Sequence, residues 1–506
     1  MGLKEAEIRC YDGEADRARV EDLERRCEVG PTERVYLFTD TMGDPICRIR
    51  NSPMHKMLVA ELDNQLVGVI QGSIKWVTVH NKPPPGQHEA NLSRVGYILG
   101  LRVAPLHRQK GIGSRLVCCL EDWFVANDVD YAYMATEKDN EASVRLFMEK
   151  FGYIKFRTPA ILVNPVRYRP RHVSSDVEIE KLKVEEAELL YRNCMASTDF
   201  FPHDIDKVLG NKLSLGTWVA YPRGESFCNF GSNGEALPES WAMISVWNSG
   251  EVFKLRLGKA PLSCLLYAKS WRLMDRFLPC FKLLPSMPDF FNPFGFYFMY
   301  GVYHEGPLSG KLVRNLCHFV HNMAKTTTKN YCCKVVVTEV GGCDSVLRHN
   351  IPHWKLLSCS EDLWCIKAMK MNEADRTSLL ELTKTQQTNK TLFVDPREPS
   401  PIPALSHSQR ASPACPARIE PQPSTSPERA PATSTRAASS RPQHLCILAQ
   451  SRAKAIMVLR PSNLPALDLH ASTNRRTHIV PARHLDPPLP TVRFSPAPPS
   501  QRQTHA

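Results

Sequence analysis

The chain has 506 residues, and its 64 Lys+Arg outnumber its 52 Asp+Glu to give a net charge of +12. Most of this excess lies in residues 399–506, which hold 13 Lys+Arg and 4 Asp+Glu. Residues 1–398 are therefore nearly balanced. The basic charge gives no evidence for direct nucleic-acid binding by the folded part.

Neither a membrane span nor a secretory leader is expected. No apolar run reaches about 18 residues, and Met1–Tyr11 lacks the charged and apolar regions of a signal peptide. The 17 cysteines include no CxxC pair and no Cys/His cluster at zinc spacing. We therefore expect reduced thiols and no metal site.

The first predicted elements are a strand, a helix and a hairpin. Ile8–Tyr11 is rich in strand formers, and Glu14–Glu28 carries apolar residues at helical spacing. Two further apolar runs, Met57–Leu62 and Val67–Trp76, are separated by a short polar turn. This pattern predicts two antiparallel strands.

A basic turn follows the next predicted strand. Tyr97–Val103 predicts a buried strand, and Ser114–Ala126 has the apolar spacing of an amphipathic helix. The turn between them holds Arg108, Gln109, Lys110, Gly111, Ile112 and Gly113. Glycines let the backbone curl, and unpaired amides at a helix start attract negative charge. The turn is therefore a candidate site for an anion such as a phosphate.

Known phosphate-binding patterns narrow the choice of ligand. The dinucleotide pattern GxGxxG fails because the turn has only two glycines, and the Walker pattern fails because no Gly-Lys-Ser/Thr is present. The remaining pattern, R-x-x-G-x-G after a strand and Val-x-Pro, resembles the acyl-CoA loop of the Gcn5-related N-acetyltransferase superfamily. On these residues alone, a plain basic strand–helix turn is an equal alternative.

A second motif supports the resemblance. Tyr131–Thr136 predicts the next strand, and Asn140 is a candidate N-cap for a helix that ends at Gly152. The pattern N-x-x-[AS]-x-x-L-[YF]-x-x-x-x-G-[FY] is similar to the second motif of the same superfamily, with Ser143 and Phe147 at two of its positions. The resemblance covers residues 1–165.

The resemblance implies a fold, a co-substrate and a set of binding residues. The expected fold is α/β (α+β), with a mixed central sheet flanked by helices, and the expected co-substrate is acetyl-CoA, without a metal. The residues that it assigns to acetyl-CoA are Leu101, Arg102, Val103, Arg108, Gln109, Lys110, Gly111, Ile112, Gly113, Ser114, Asn140, Ser143 and Phe147.

The candidate catalytic groups depart from the superfamily pattern at Phe147. Many members of the superfamily protonate the CoA thiolate with a tyrosine at the position of Phe147, which has no proton to give. Tyr133, Tyr153 or a water molecule could replace it. For the base, Glu137 is the first candidate and Glu61 the second, while an ordinary surface carboxylate is the alternative for both.

The second half of the chain predicts a degraded copy of the same fold. VYHEGPLSGKLVRNL echoes LRVAPLHRQKGIGSRLVCCL, which places the copy at residues 176–370 after a first domain at 1–170. In its loop Glu305 brings negative charge and Pro307 removes an amide donor, so we expect little CoA binding there. An unrelated α+β domain is the alternative.

The whole of residues 1–398 is similar to the plant Hookless family of N-acetyltransferases, whose C-terminal end resembles Phe393–Glu398. This resemblance implies a nuclear protein linked to differential growth, apical-hook formation and ethylene–auxin crosstalk, with proteins, including histones, as candidate acceptors. Two other functions stay open, a non-catalytic regulator or scaffold and a small-molecule amine acetyltransferase.

The last part of the chain is expected to differ from the rest. Residues 371–398 are interpreted as a linker. Residues 399–506 are rich in Pro, Ser and Arg and have little apolar periodicity, so they cannot bury enough surface to offset chain entropy. We predict disorder there.

Overall fold

The structure is a computed structural model. It describes residues 5–27, 37–79, 92–166, 169–227, 237–257, 290, 292–326, 333–341, 344–355, 357–370, 379, 383 and 392–398. Most of the linker lies outside the described residues, as does the whole predicted disordered tail.

Two mixed sheets account for most of the described chain. The strands of the first sheet in the described ranges are β1 (Glu7–Cys10), β3 (Met54–Leu62), β4 (Gln65–Thr78), β5 (Leu92–Val103), β6 (Tyr131–Thr136), β7 (Ile154–Arg157), β10 (Phe201–Pro202) and β16 (Leu363–Ala368). Their spatial order is β1-β3-β4-β5-β6-β16-β7, with β10 paired to β4. Only β5 and β6 run parallel within this set of described strands.

The second sheet repeats this order. Its described strands are β8 (Ala160–Pro165), β9 (Val177–Leu182), β11 (Ser214–Pro222), β12 (Trp241–Trp247), β14 (Gly295–Glu305) and β15 (Cys333–Val340), in the order β8-β15-β14-β12-β11-β9. The strands β14 and β15 form its parallel pair, as β5 and β6 do in the first sheet. A small antiparallel ladder joins β2 (Leu37–Asp40) to β13 (Lys254–Leu257).

Helices cover the faces of both sheets. The described α-helices are α1 (Arg17–Cys27), α2 (Ile112–Ala126), α3 (Glu141–Val144), α4 (Val184–Met195), α5 (Ile205–Leu209), α6 (Ser309–Thr326) and α7 (Ser345–Asn350). A π-helical segment, Arg145–Lys150, follows α3, and short 3-10 turns occupy Pro105–His107 and Ser249–Glu251. The described residues contain no helix with the length and apolar character of a membrane span.

Several predicted bounds differ from the observed ones by a few residues. The helix expected from Glu14 begins at Arg17, because the Asp12 carboxylate accepts from the amides of Glu14 and Ala15 and holds them in a turn. Strand β5, expected from Tyr97, begins at Leu92 and pairs with β4 over its whole length. The bounds of β6 are as predicted, and so are those of α4, because Val184–Met195 carries apolar residues at helical spacing in the sequence.

The two sheets exchange one strand each. Strand β8 precedes the second repeat in sequence, yet it pairs with β15 in the second sheet. Strand β16 ends the second repeat, yet it lies between β6 and β7 in the first sheet. The division of the sequence near residues 170–176 therefore does not divide the sheets, and each sheet is completed by the other half of the chain.

Candidate active site

The basic turn between β5 and α2 has the geometry of an anion cradle. Gly111 is the N-cap of α2 and has φ of 81°, a left-handed conformation that glycine adopts without strain. The first backbone bond of the helix runs from the Arg115 amide to the Gly111 carbonyl, which leaves the amides of Ile112, Gly113 and Ser114 without helical partners. Arg108, Gln109 and Lys110 are exposed beside these amides.

Sequence reasoning missed a third cation at this turn. The Nζ atom of Lys150, at the end of the π-helical segment, donates to the Ser114 hydroxyl at 2.8 Å. Lys150 lies within the second motif, so a signal existed, namely a basic residue in the last turn of the predicted helix. The contact brings another positive charge to the N-terminus of α2.

A bulge in β5 interrupts its pairing with β4 next to the turn. Gly100 has φ of 64°, and the pairing of β5 with β4 shifts register there. The parallel ladder between β5 and β6 extends only from Val95–Tyr131 to Ile98–Met134, so the strands stop pairing just before the bulge. Leu101, Arg102 and Val103 lie beyond this point, on the part of β5 that leads to the turn.

One buried polar side chain faces the bulge. Gln71 on β4 is 5% exposed, and a side chain at Gly100 would lie 3.4 Å from its amide carbon. Its Nε2 group donates to the Pro45 carbonyl at 2.9 Å, whereas its Oε1 atom has no hydrogen-bond partner among the described residues. Most buried polar atoms are paired, so this acceptor is available to a bound molecule.

The second motif forms the other side of the gap. The Asn140 side chain accepts from the Ser143 amide as the N-cap of α3, and it donates to the Thr136 hydroxyl at 3.1 Å. Phe147 is 2% exposed and packs edge-on to the ring of Tyr153, with centroids 5.3 Å apart. Glu137 is half-buried directly after β6, where the parallel strands have separated.

The predicted acid Tyr153 is not brought to the gap. Its hydroxyl donates to Glu121 at 2.9 Å, and Lys367 binds the same carboxylate. Glu121 lies nine residues into α2, about 13 Å along the helix axis from the end beside the gap. Burial and Glu121 together raise the pKa of Tyr153 well above its usual value, so its proton is tightly held.

Tyr133 lies on the other face of the sheet from Tyr153, in the core cluster that includes Tyr97 and Trp364. Its ring stacks on Tyr97 at 4.6 Å and on Trp364 at 5.2 Å, and its hydroxyl donates to Glu398 at 3.1 Å. Burial raises the pKa of Tyr133, and the charge of Glu398 raises it further. Its hydroxyl group already serves a structural hydrogen bond.

The second predicted base, Glu61, is held in ion pairs. Arg19 donates to one of its oxygens at 2.8 Å and Arg9 to the other at 2.6 Å. These arginines hold the pKa of Glu61 below its usual range, with Arg19 the larger cause. A carboxylate stabilised in this way is a weak base, so Glu137 is the better placed of the two predicted glutamates.

A C-terminal segment reaches this face from the second sheet, and we call residues 392–398 the strap. Phe393 packs edge-on against Tyr191 and Phe201 in the core of the second half. Arg397 donates to Asp204 at 2.7 Å and to Asp395 at 2.7 Å. The strap therefore joins the second half of the chain to the site in the first.

Glu398 ends the strap inside the first half. Its carboxylate is 3% exposed, lies 2.7 Å from the Nζ atom of Lys75 and accepts from the hydroxyls of Tyr133, Ser73 and Ser52. In the sequence, this segment stands out only as the end of the family resemblance. No local pattern indicates that it returns to β4.

The second half has the same bulge, but its gap is filled. Gly301 on β14 has φ of 57°, and the register of β14 shifts against β12 there. The hydroxyl of Tyr191 donates to the Gly301 carbonyl at 3.0 Å and shares a hydrogen bond of 2.8 Å with Ser245. At the equivalent place near Gly100, the nearest side chain is that of Gln71.

The match to a known protein family falls in the half of the chain that carries the basic turn. Residues 17–153, which hold the turn and the second motif, match the family described as "Acetyltransferase (GNAT) family". The fold, with its mixed sheets and flanking helices, and this match define the protein as an acyltransferase of the GNAT class. Within the described ranges, no group of His, Cys, Asp or Glu side chains is placed to hold a metal ion.

Three plant proteins are similar over most of their length. "Probable N-acetyltransferase HLS1-like" of Arabidopsis thaliana is 48% identical over 419 residues, 78% of this chain and 98% of the relative. "Probable N-acetyltransferase HLS1" of the same plant is 48% identical over 408 residues, 77% of this chain and 99% of the relative. "Acetyl transferase GW6a" of Oryza sativa subsp. japonica is 34% identical over 430 residues, which cover 77% of this chain and 97% of the relative. The chain belongs to this HLS1 family of N-acetyltransferases.

Proposed function

We propose that this protein transfers the acetyl group of acetyl-CoA to the side-chain amine of a lysine in a protein acceptor. The observation that carries the proposal is the contrast between the two halves. The gap beside Gly100 adjoins a basic turn with unpaired helix amides, whereas the equivalent gap beside Gly301 is filled by Tyr191. We therefore expect one acetyl-CoA site per chain, in the first half.

In this proposal the turn holds the pyrophosphate of acetyl-CoA. The amides of Ile112, Gly113 and Ser114 would bind its oxygens, and Arg108, Lys110 and Lys150 would supply positive charge. The pantetheine arm would run between β5 and β6 along Leu101–Val103, past Asn140, Ser143 and Phe147. The backbone at the Gly100 bulge would then face the thioester carbonyl.

The acceptor amine would approach from the face that carries Gln71. Its unpaired Oε1 atom supports this direction, because it can accept a hydrogen bond from a neutral or protonated amine. Glu137, directly after β6, is the proposed base that removes the amine proton. Histone tails are the first acceptors to test, and the family resemblance extends the proposal to a nuclear role in ethylene- and auxin-dependent growth.

Calorimetry with acetyl-CoA on the full-length chain tests the cofactor site. We expect binding by the wild type and its loss in an Arg108→Ala/Gly111→Asp double variant, since the second change places a negative charge at the cradle. Lys311→Ala, in the equivalent turn of the second half, is the matched control and should bind normally. Absence of wild-type binding would favour a non-catalytic scaffold.

The acceptor class needs its own assay. Full-length protein is incubated with acetyl-CoA and either histone tail peptides or spermidine, and acetylated products are identified by mass spectrometry. Modified lysine in the peptides supports the proposal. Acetylation of spermidine alone would favour the small-molecule alternative that the sequence leaves open.

A further inference from the structure

Asp362 is a buried carboxyl group at the end of the exchanged strand β16. It precedes Leu363, which pairs with Thr136, so Asp362 stands opposite Glu137 where β6 ends. Its amide donates to the Pro159 carbonyl at 2.8 Å. Its side chain is 0% exposed, and neither carboxyl oxygen has a hydrogen-bond partner among the described residues.

The carboxyl lies on the face of the sheet that carries Gln71 and Tyr133. Side chains alternate along a strand, so Asp362 shares its face with Trp364, which stacks on Tyr133. The next strand, β6, lies about 5 Å away, and the gap opens on its far side. Asp362 is therefore one strand from the gap, beyond direct hydrogen-bond reach, so its proton would cross to the gap through bridging water.

The groups around Asp362 disfavour its ionised form. Burial raises the pKa of Asp362 well above its usual value, and the charge of Glu339 on β15 is the next cause. The Leu363 amide lowers the pKa of Asp362, Glu137 raises it by a smaller amount, and the Trp364 indole lowers it by a smaller amount still. Two carboxylates close together in a dry site cannot both ionise easily, so one keeps its proton.

Two cysteines and a tyrosine that are electrostatically coupled to Asp362 are neutral near pH 7. Burial raises the pKa of Cys359 and of Cys365 to about 11 each, and in both cases Asp362 adds to the rise. Tyr97, on the strand that carries the bulge, has its pKa raised mainly by burial and to a smaller degree by Glu339 and Asp362.

We propose that Asp362 is the proton donor to the CoA thiolate, the role for which Phe147 has no hydroxyl. The inference rests on the proposed acetyl transfer. Tyr153 is bound to Glu121 far along α2 and Tyr133 to Glu398. Asp362, in contrast, has no ion-pair partner among the described residues, and the groups that favour its charged form are the Leu363 amide and the Trp364 indole. The acid then comes from the second half of the sequence, although the cofactor site lies in the first.

Glu137 and Asp362 together account for the protons that move in the reaction. The acceptor nitrogen forms the C–N bond to the thioester carbon, the C–S bond breaks, and sulfur leaves with the electron pair. The sulfur takes the proton of Asp362 and departs as the thiol. The nitrogen loses one proton to Glu137, and transfer of that proton to Asp362 restores both groups.

The test compares Asp362→Asn with the wild type in the full-length chain, using acetyl-CoA and histone tail peptides or spermidine. Asparagine keeps the shape but has no acidic proton. We expect kcat to fall by about 100-fold, the usual scale for loss of a general acid, with acetyl-CoA affinity unchanged. The decline of wild-type kcat at high pH should be absent from the variant. Glu361→Gln, a neighbouring exposed carboxylate paired with Lys138, is the control and should behave as the wild type.

Each outcome decides one proposal. Wild-type kcat and pH profile in Asp362→Asn would overturn the role of Asp362 and leave acetyl transfer intact. A wild type that binds acetyl-CoA but acetylates neither acceptor class would overturn both. If the variant does not fold, infrared spectroscopy of the wild type with isotope-labelled aspartate gives the answer. A protonated-carboxyl band that persists above about pH 7 is expected, and its absence would overturn the inference.

Discussion

Lys75 on β4 and Glu398 at the end of the strap form a buried ion pair, with 2.7 Å between Nζ and the carboxylate and neither side chain more than 3% exposed. Asp395 of the same strap lies 3.5 Å from the ammonium. The two partners are more than 300 residues apart in sequence. Their contact fixes the far end of the described chain against the first sheet.

Removing the negative charge of Glu398 should lower the free energy of unfolding. Glu398→Gln leaves the Lys75 ammonium with less compensation in a dry site, and breaking a buried pair costs about 3–5 kcal/mol. Urea denaturation of the full-length chain measures the free energy of unfolding. The control Glu361→Gln breaks an exposed pair and should cost at most about 1 kcal/mol. Equal losses in both variants would contradict the assigned role of the strap.

The strand exchange predicts that neither half folds alone. Residues 1–170 lack β16, so β6 and β7 have no partner between them, and residues 171–506 lack β8. We expect each fragment alone to show no cooperative thermal transition. Co-expressed, the two fragments should co-purify and bind acetyl-CoA. An independently folded 1–170 fragment with wild-type affinity would show that β16 is dispensable.

The two bulge glycines should respond differently to alanine. Gly100→Ala puts a side chain into left-handed backbone, at a cost of about 1–2 kcal/mol, and displaces the backbone proposed to face the thioester. Its acetyl-CoA affinity should fall about tenfold, the equivalent of one hydrogen bond. Gly301→Ala collides with Tyr191 and should lower stability while folded molecules keep normal affinity. The reverse pattern would place the cofactor in the second half.

The pH dependence of stability should reveal Asp362. Because its pKa is raised on folding, the folded state binds more protons than the unfolded state above the usual aspartate pKa of about 4. Stability is therefore lost as pH rises from there, by up to about 1.4 kcal/mol per pH unit. Asp362→Asn should be more stable than the wild type near pH 8, and the difference should shrink toward pH 4. Thermal unfolding across this range measures the effect, and a constant difference would argue against a protonated carboxyl.

Local signals carried much of the fold. The bounds of β6 and α4, the cap at Asn140 and the strand–turn–helix around Gly111 follow from hydrophobic period and capping chemistry, which act over a few residues. The strand order that the two sheets share also follows from the repeated sequence pattern. These features need no knowledge of distant contacts.

The contacts between distant segments could not be predicted in the same way. Strands β8 and β16 have ordinary apolar patterns, and nothing in their sequences states which sheet they join. Asp362 follows Glu361 in a polar stretch and resembles a surface residue until the exchange buries it. Glu398 likewise gains its role only through pairing with Lys75. Burial of polar groups by remote strands is therefore the part of the site that sequence patterns miss.

Strand exchange also sets the order of events during synthesis of the chain. The first sheet has most of its strands once β7 emerges from the ribosome, but β16 is still about 200 residues away, roughly 10–40 s at 5–20 residues per second. Through that interval the hydrogen-bonding edge of β6 has no permanent neighbour. A nascent chain with such an edge pairs readily with other chains. Chaperone binding to the ribosome-attached first half would protect the edge until β16 arrives.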